Sequence, residues 1–152
     1  MTMNDVPVNE VPDQAAERLM VGGQPTEEQF RALQLEGFDV VVNMRPNAEL
    51  QDFPEQAIVE STGMVYEHLP ILGPQDISFE NSKRLAEILD QYTGKNIVVH
   101  CASGNRVGAL FALKAFYIDQ HDLETSLQIG DQHGLTKLRP LVESILLEAG
   151  GE

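Results

Sequence analysis

The chain has 152 residues and a formal net charge of −14, from 24 acidic and 10 basic side chains. That length suits one domain with a substantial core, and the acidic balance argues against nucleic acid and against an anionic membrane surface as partners. The single cysteine excludes an internal disulfide, a Cys-x-x-Cys redox pair and a zinc site of several cysteines, and it fits a reducing compartment.

Residues 1–17 read as a loose N-terminal leader, and residues 18–150 as a single domain. The leader begins polar and acidic, without the basic and apolar regions of a signal peptide. No later stretch approaches the roughly 20 apolar residues that span a bilayer, so the expected location is cytoplasmic. Leu19-Met20-Val21 predicts a short strand, closed by Gly22-Gly23-Gln24-Pro25. Thr26 with Gln29 three residues on is a capping-box pattern, opening a helix that carries Phe30 and Leu33 and stops at Gly37. Residues 39–43 form an apolar run typical of a buried parallel strand, followed by a polar loop over residues 44–52 that contains Arg45. A helix over 53–61, a strand over 64–69 and a loop over 70–76 come next. Ser78 caps a helix whose Leu85, Ile88, Leu89 and Tyr92 follow the i, i+3, i+4, i+7 rule. A strand over 96–100 runs into a helix over 106–117, and two further helices, about 123–133 and 136–148, close the chain. Strands alternating with helices predict an α/β fold, a mostly parallel central sheet flanked by helices. Sites in such sheets lie at the carboxyl ends of strands.

Cys101 stands at the carboxyl end of the strongest strand, in the run His100-Cys101-Ala102-Ser103-Gly104-Asn105-Arg106. A thiol at a helix N-terminus meets unpaired amides and the positive end of the dipole, which favour a thiolate and bind an oxyanion. Arg106 adds a planar fork that matches two oxygens of a phosphate or sulfate, and Gly104 permits the tight turn. Adjacent strand residues face opposite ways, so His100 is not an in-line base for Cys101 and instead supports the loop. The bland readings are a small buried thiol, a surface arginine, an ordinary turn glycine and a structural histidine. His68, His100, His121 and His133 have no ligand-like spacing, so no metal and no cofactor are expected.

These residues resemble the signature of the cysteine-dependent tyrosine phosphatases, above all the dual-specificity branch: His-Cys, a glycine three residues past the cysteine, then an arginine. The wider chain resembles a bacterial branch, the phosphatase-like domain found alone and in beta-lactamase-hydrolase-like proteins. Gly23-Gln24-Pro25-Thr26, the run Gly37 to Pro46 and the Cys101 loop carry this likeness, over roughly residues 18–120. The resemblance implies a dual-specificity-phosphatase architecture. It implies Cys101 as nucleophile, the amides of Ala102, Ser103, Gly104, Asn105 and Arg106 as phosphate cradle, and a phosphorylated substrate, or free phosphate or sulfate, as ligand. It also implies a general acid upstream. Asp76 fits that role in kind, or is simply a helix-start carboxylate, with Glu49 and Asp52 as alternatives. Arg45 is a second anion contact or a tether for its loop. Two departures stand out. Only four residues separate Cys101 from Arg106, one fewer than in the tyrosine phosphatase signature, and Val107 replaces the usual hydroxyl residue after the arginine. The short loop also suits a rhodanese-like sulfurtransferase carrying a persulfide, and the missing hydroxyl suits a phosphate-binding module without turnover.

Overall fold

The computed structural model describes residues 7–150. Five strands, β1 (Val8–Val11), β2 (Arg18–Gly22), β3 (Val40–Asn43), β4 (Val65–His68) and β5 (Asn96–His100), form one sheet in the order β1-β2-β5-β3-β4. Only β1 is antiparallel to its neighbour; the other pairings are parallel. Six helices accompany them: α1 (Glu27–Leu35), α2 (Glu55–Ser61), α3 (Phe79–Gln91), α4 (Asn105–Tyr117), α5 (Leu123–Gln132) and α6 (Arg139–Gly150).

The central strands read as continuous apolar runs because both faces of the sheet are covered. Side chains alternate between two cores with the period of the strand. Leu19, Val21, Val40, Val42, Ile97 and Val99 join Leu85, Leu89, Leu110, Leu127 and Val142, from α3 to α6, in the larger core. Met20, Val41 and Val98 join Phe30, Leu33, Ile58 and Val59, from α1 and α2, in the smaller. The result is three layers, with two helices on one face and four on the other.

The chain passes from β2 through α1 to β3 and through α2 to β4, then returns by α3 to insert β5 between β2 and β3. The register aligns Gly22, His100 and Asn43 at the carboxyl edge of the three central strands. The Met44 amide donates to the His100 carbonyl (2.9 Å), and the Cys101 amide to the Gly22 carbonyl (3.1 Å). Chain reversal beside β5 therefore leaves a crevice at the strand ends, where the Cys101 loop emerges.

Two expectations need correction. The segment read as a loose leader contains β1, which pairs with β2 residue for residue from Val8↔Gly22 to Val11↔Leu19. Its two valines anchor it on opposite sides of the sheet, Val8 in the smaller core and Val11 against the larger, while Asn9 and Glu10 stay exposed as an edge strand allows. The last helix begins at Arg139 rather than Thr136, because the Asn105 Oδ1 takes the amides of Thr136 (3.0 Å) and Leu138 (3.2 Å) and holds the preceding turn outside the helix.

Candidate active site

The strand–turn–helix unit around Cys101 is set by backbone geometry. Gly104 is the N-cap of α4 with φ +95°, a left-handed conformation that favours glycine. No side chain caps this N-terminus, so the first-turn amides are left without intrahelical acceptors. The Gly104 amide donates to the Cys101 Sγ at 3.0 Å. Cys101 is 1% exposed and packs with the larger core. The loop is also stitched to the turn after β2: Gly23 bridges Ser103, and the Gln24 amide donates to the Ala102 carbonyl (3.3 Å).

His100 turns to the opposite side. It is fully buried, tilts against Phe30 (5.9 Å between ring centroids), and its Nε2 donates to the Glu55 Oε2 at 2.6 Å. Its Nδ1 lies 3.2 Å from the Cys101 carbonyl oxygen. The Gln24 Nε2 donates to the other Glu55 oxygen (2.7 Å), while the Gln24 Oε1 accepts from the Arg45 Nη1 (2.7 Å). Arg45 continues the chain. Its Nε donates to the Glu49 Oε1 (3.1 Å) and its Nη2 to the Glu49 carbonyl (3.0 Å).

Glu49 completes the circuit at Arg106. The Arg106 Nη1 donates to the Glu49 Oε2 and its Nη2 to the Glu49 Oε1, both at 2.9 Å, in a fork-on-fork pair. Arg106 Nη1 also donates to the Ile71 carbonyl (2.9 Å). The hydrogen bonds from Arg106 hold the Glu49 carboxyl below the usual carboxylate range, against the opposing effect of burial. The Glu49 hydrogen bonds raise Arg106 above its ordinary value, and the neighbouring Cys101 acts in the same direction. A cationic fork, a helix N-terminus and a thiol therefore meet in one place, which is the equipment for holding an oxyanion beside a nucleophile.

The expected residues distribute unevenly. Cys101, Gly104, Arg106, His100 and Arg45 belong to one connected network, whereas the Asn105 side chain faces the start of α6. Asp76 folds back on its own loop: its Oδ2 accepts from the Leu72 amide (2.8 Å), and its carbonyl from the Asn81 Nδ2 (2.9 Å). That loop reaches Arg106 through the Ile71 carbonyl, five residues earlier. Glu55 had no signal in the sequence, and Gln24 stood only within the run that carries the family likeness, since each meets its partner only across the fold. No group of three or more His, Cys, Asp or Glu side chains among the described residues is arranged to hold a metal ion, and no helix among them is long and apolar enough to cross a membrane.

This architecture is shared with solved structures described as phosphatases or putative phosphatases. Kinase-associated phosphatase, solved with its catalytic-site cysteine replaced by serine, superposes with a TM-score of 0.68 at 13% identity, covering 95% of this chain and 93% of that one. A DUF442 protein of Shewanella putrefaciens superposes with a TM-score of 0.71 at 25% identity, covering 96% and 90%. The fold is thus that of the dual-specificity and tyrosine phosphatases. More narrowly, the chain belongs to the PTP-NADK family, described as the DSP-PTPase phosphatase fused to NAD+ kinase, which matches residues 5–138. A beta-lactamase hydrolase-like protein of Xylella fastidiosa is 28% identical over 122 residues, and one of Agrobacterium fabrum is 29% identical over 125. These alignments take in 78% of this chain but only 28% of either relative's length.

Proposed function

We propose that the chain hydrolyses phosphomonoesters through a phosphocysteine. The observation that carries this reading is the Cys101 Sγ receiving the Gly104 amide at the uncapped N-terminus of α4, with Arg106 in that helix's first turn. Substrate phosphate docks on the loop amides from Ala102 to Arg106, and the Arg106 guanidinium holds two of its oxygens and stabilises charge in the transition state. The Cys101 thiolate attacks phosphorus, forming the S–P bond as the P–O bond to the leaving group breaks. Asp76, released from the Leu72 amide, gives its proton to the leaving oxygen. It then takes a proton from the attacking water, which splits the S–P bond and frees orthophosphate and the thiolate.

The test is turnover of para-nitrophenyl phosphate by the wild type and by Cys101→Ser. The expected outcome is turnover in the first, none in the second, and inorganic phosphate binding in both. Turnover by the serine variant sinks the mechanism. Val107 offers no hydroxyl to the departing sulfur, so the second step is expected to be the slower one. A stopped-flow burst of nitrophenol close to one equivalent per protein would show it; a linear trace would place the slow step earlier.

A further inference from the structure

Arg106 presents one fork, and Glu49 takes it. Both Glu49 carboxylate oxygens lie 2.9 Å from the two terminal guanidinium nitrogens. This is the two-point geometry with which arginine grips a phosphate. A substrate that uses Arg106 in this way must take it from Glu49. Glu49 has somewhere to go, because the Arg45 Nε donates to its Oε1 (3.1 Å) and the Arg45 Nη2 to its carbonyl (3.0 Å). Its side chain is 33% exposed, so the swing needs no rearrangement of the core.

We propose that Glu49 is an internal competitor for the anion seat of Arg106, and that this competition makes it a specificity-determining residue selecting dianionic phosphomonoesters. The inference rests on the phosphatase reading of the same loop. A singly charged ligand, such as a sulfate monoester, offers Arg106 no more charge than Glu49 already does. A phosphate dianion offers more, and it adds the loop amides that a side chain anchored on the neighbouring loop does not use. The occupied fraction of Arg106 sets a penalty on every incoming anion, since apparent affinity scales with the fraction of protein whose seat is open.

The opposite role for the same contact is that Glu49 merely orients Arg106, and the two roles differ in sign. Titration calorimetry with inorganic phosphate and with phenyl sulfate, on the wild type and on Glu49→Gln, separates them. The competitor role predicts that Glu49→Gln binds inorganic phosphate about tenfold more tightly, gains measurable phenyl sulfate binding, and loses this advantage when Arg106→Ala is added. Equal or weaker phosphate binding by Glu49→Gln overturns the proposal while leaving the phosphatase reading in place. Phosphate binding by neither protein overturns both. Tighter binding by Glu49→Gln without Cys101-dependent turnover in either protein keeps the competitor and removes the hydrolytic chemistry.

Discussion

Glu55 and His100 are both completely shielded from solvent, and their 2.6 Å contact is the foundation on which the Cys101 carbonyl rests. Removing one partner of such a pair leaves the other buried and uncompensated, a cost of about 3–5 kcal/mol. Glu55→Ala is therefore expected to lower the urea midpoint steeply, and Glu55→Gln, which retains an acceptor for the His100 Nε2, to lower it less. Equal losses in the two variants would mean that the carboxylate charge, which glutamine lacks, rather than a neutral acceptor or side-chain volume holds the site. Gly104→Ala separates stability from function. A Cβ there would meet Gly22 only at ordinary contact distance, 3.4 Å, so the strain is confined to the left-handed φ and costs about 1–2 kcal/mol. The larger effect is expected on turnover, because relaxing that φ moves the amide that donates to the Cys101 sulfur. At this scale the sequence was only half readable. The thiol, its glycine and its arginine are neighbours in the chain, and strand–turn–helix logic places them together. Glu49 meets Arg106 across 57 positions and Glu55 meets His100 across 45, and no local periodicity reports such pairs.

The elements themselves were readable wherever their signals are local. The capping box of α1 is present as a reciprocal pair: the Gln29 amide donates to the Thr26 Oγ1 (3.2 Å), and the Thr26 amide to the Gln29 Oε1 (2.9 Å). Thr26→Ala should cost about 1 kcal/mol, measurable by chemical denaturation; no change would mean that α1 is held by Phe30 and Leu33 alone. Boundaries fixed by distant groups were not readable. β1 is four residues long with one valine and one polar residue on each face, so it shows no alternation, and it becomes a strand by pairing with β2. The start of α6 is decided by Asn105 on another helix. Packing between elements imposes a further demand that no propensity shows. A Cβ at Gly108 would lie 2.1 Å from the Leu135 amide nitrogen, where α4 meets the turn after α5. Gly108→Ala forces those elements apart, with an expected loss of about 1–3 kcal/mol in the same assay, although alanine is the better helix former.

For the molecule as a whole, the ionisable groups define a window of stability. Burial depresses the His133 imidazole below its ordinary 6.5, against the hydrogen bond to the Ile129 carbonyl. On acidification the unfolded chain therefore takes up that proton first. Stability is full above the unfolded value and is lost as pH falls through the folded one. Glu49, held low by Arg106, extends the loss further into acid by the same sign. On the alkaline side Tyr66, pushed up by burial, and Tyr92, pushed up by its hydrogen bond to Glu67, each reach about 12 from an ordinary 10.0. Their contribution is full below pH 10 and is lost between about 10 and 12, because the unfolded chain ionises first. Melting temperature against pH should show a plateau with both flanks, and the His133→Gln and Tyr92→Phe variants should each soften one flank. A flank that keeps its shape in the matching variant would assign it to other groups.

Cys101 is the only cysteine in the chain, and it lies almost wholly beneath the loop it would serve. A thiol-directed alkylating reagent thus has one address, with no background labelling to subtract. Its rate clocks how often the loop breathes, and its final stoichiometry counts how many molecules in a preparation carry an unmodified thiol. Occupancy of the seat by an anion would slow that clock whether or not any bond to phosphorus is ever broken.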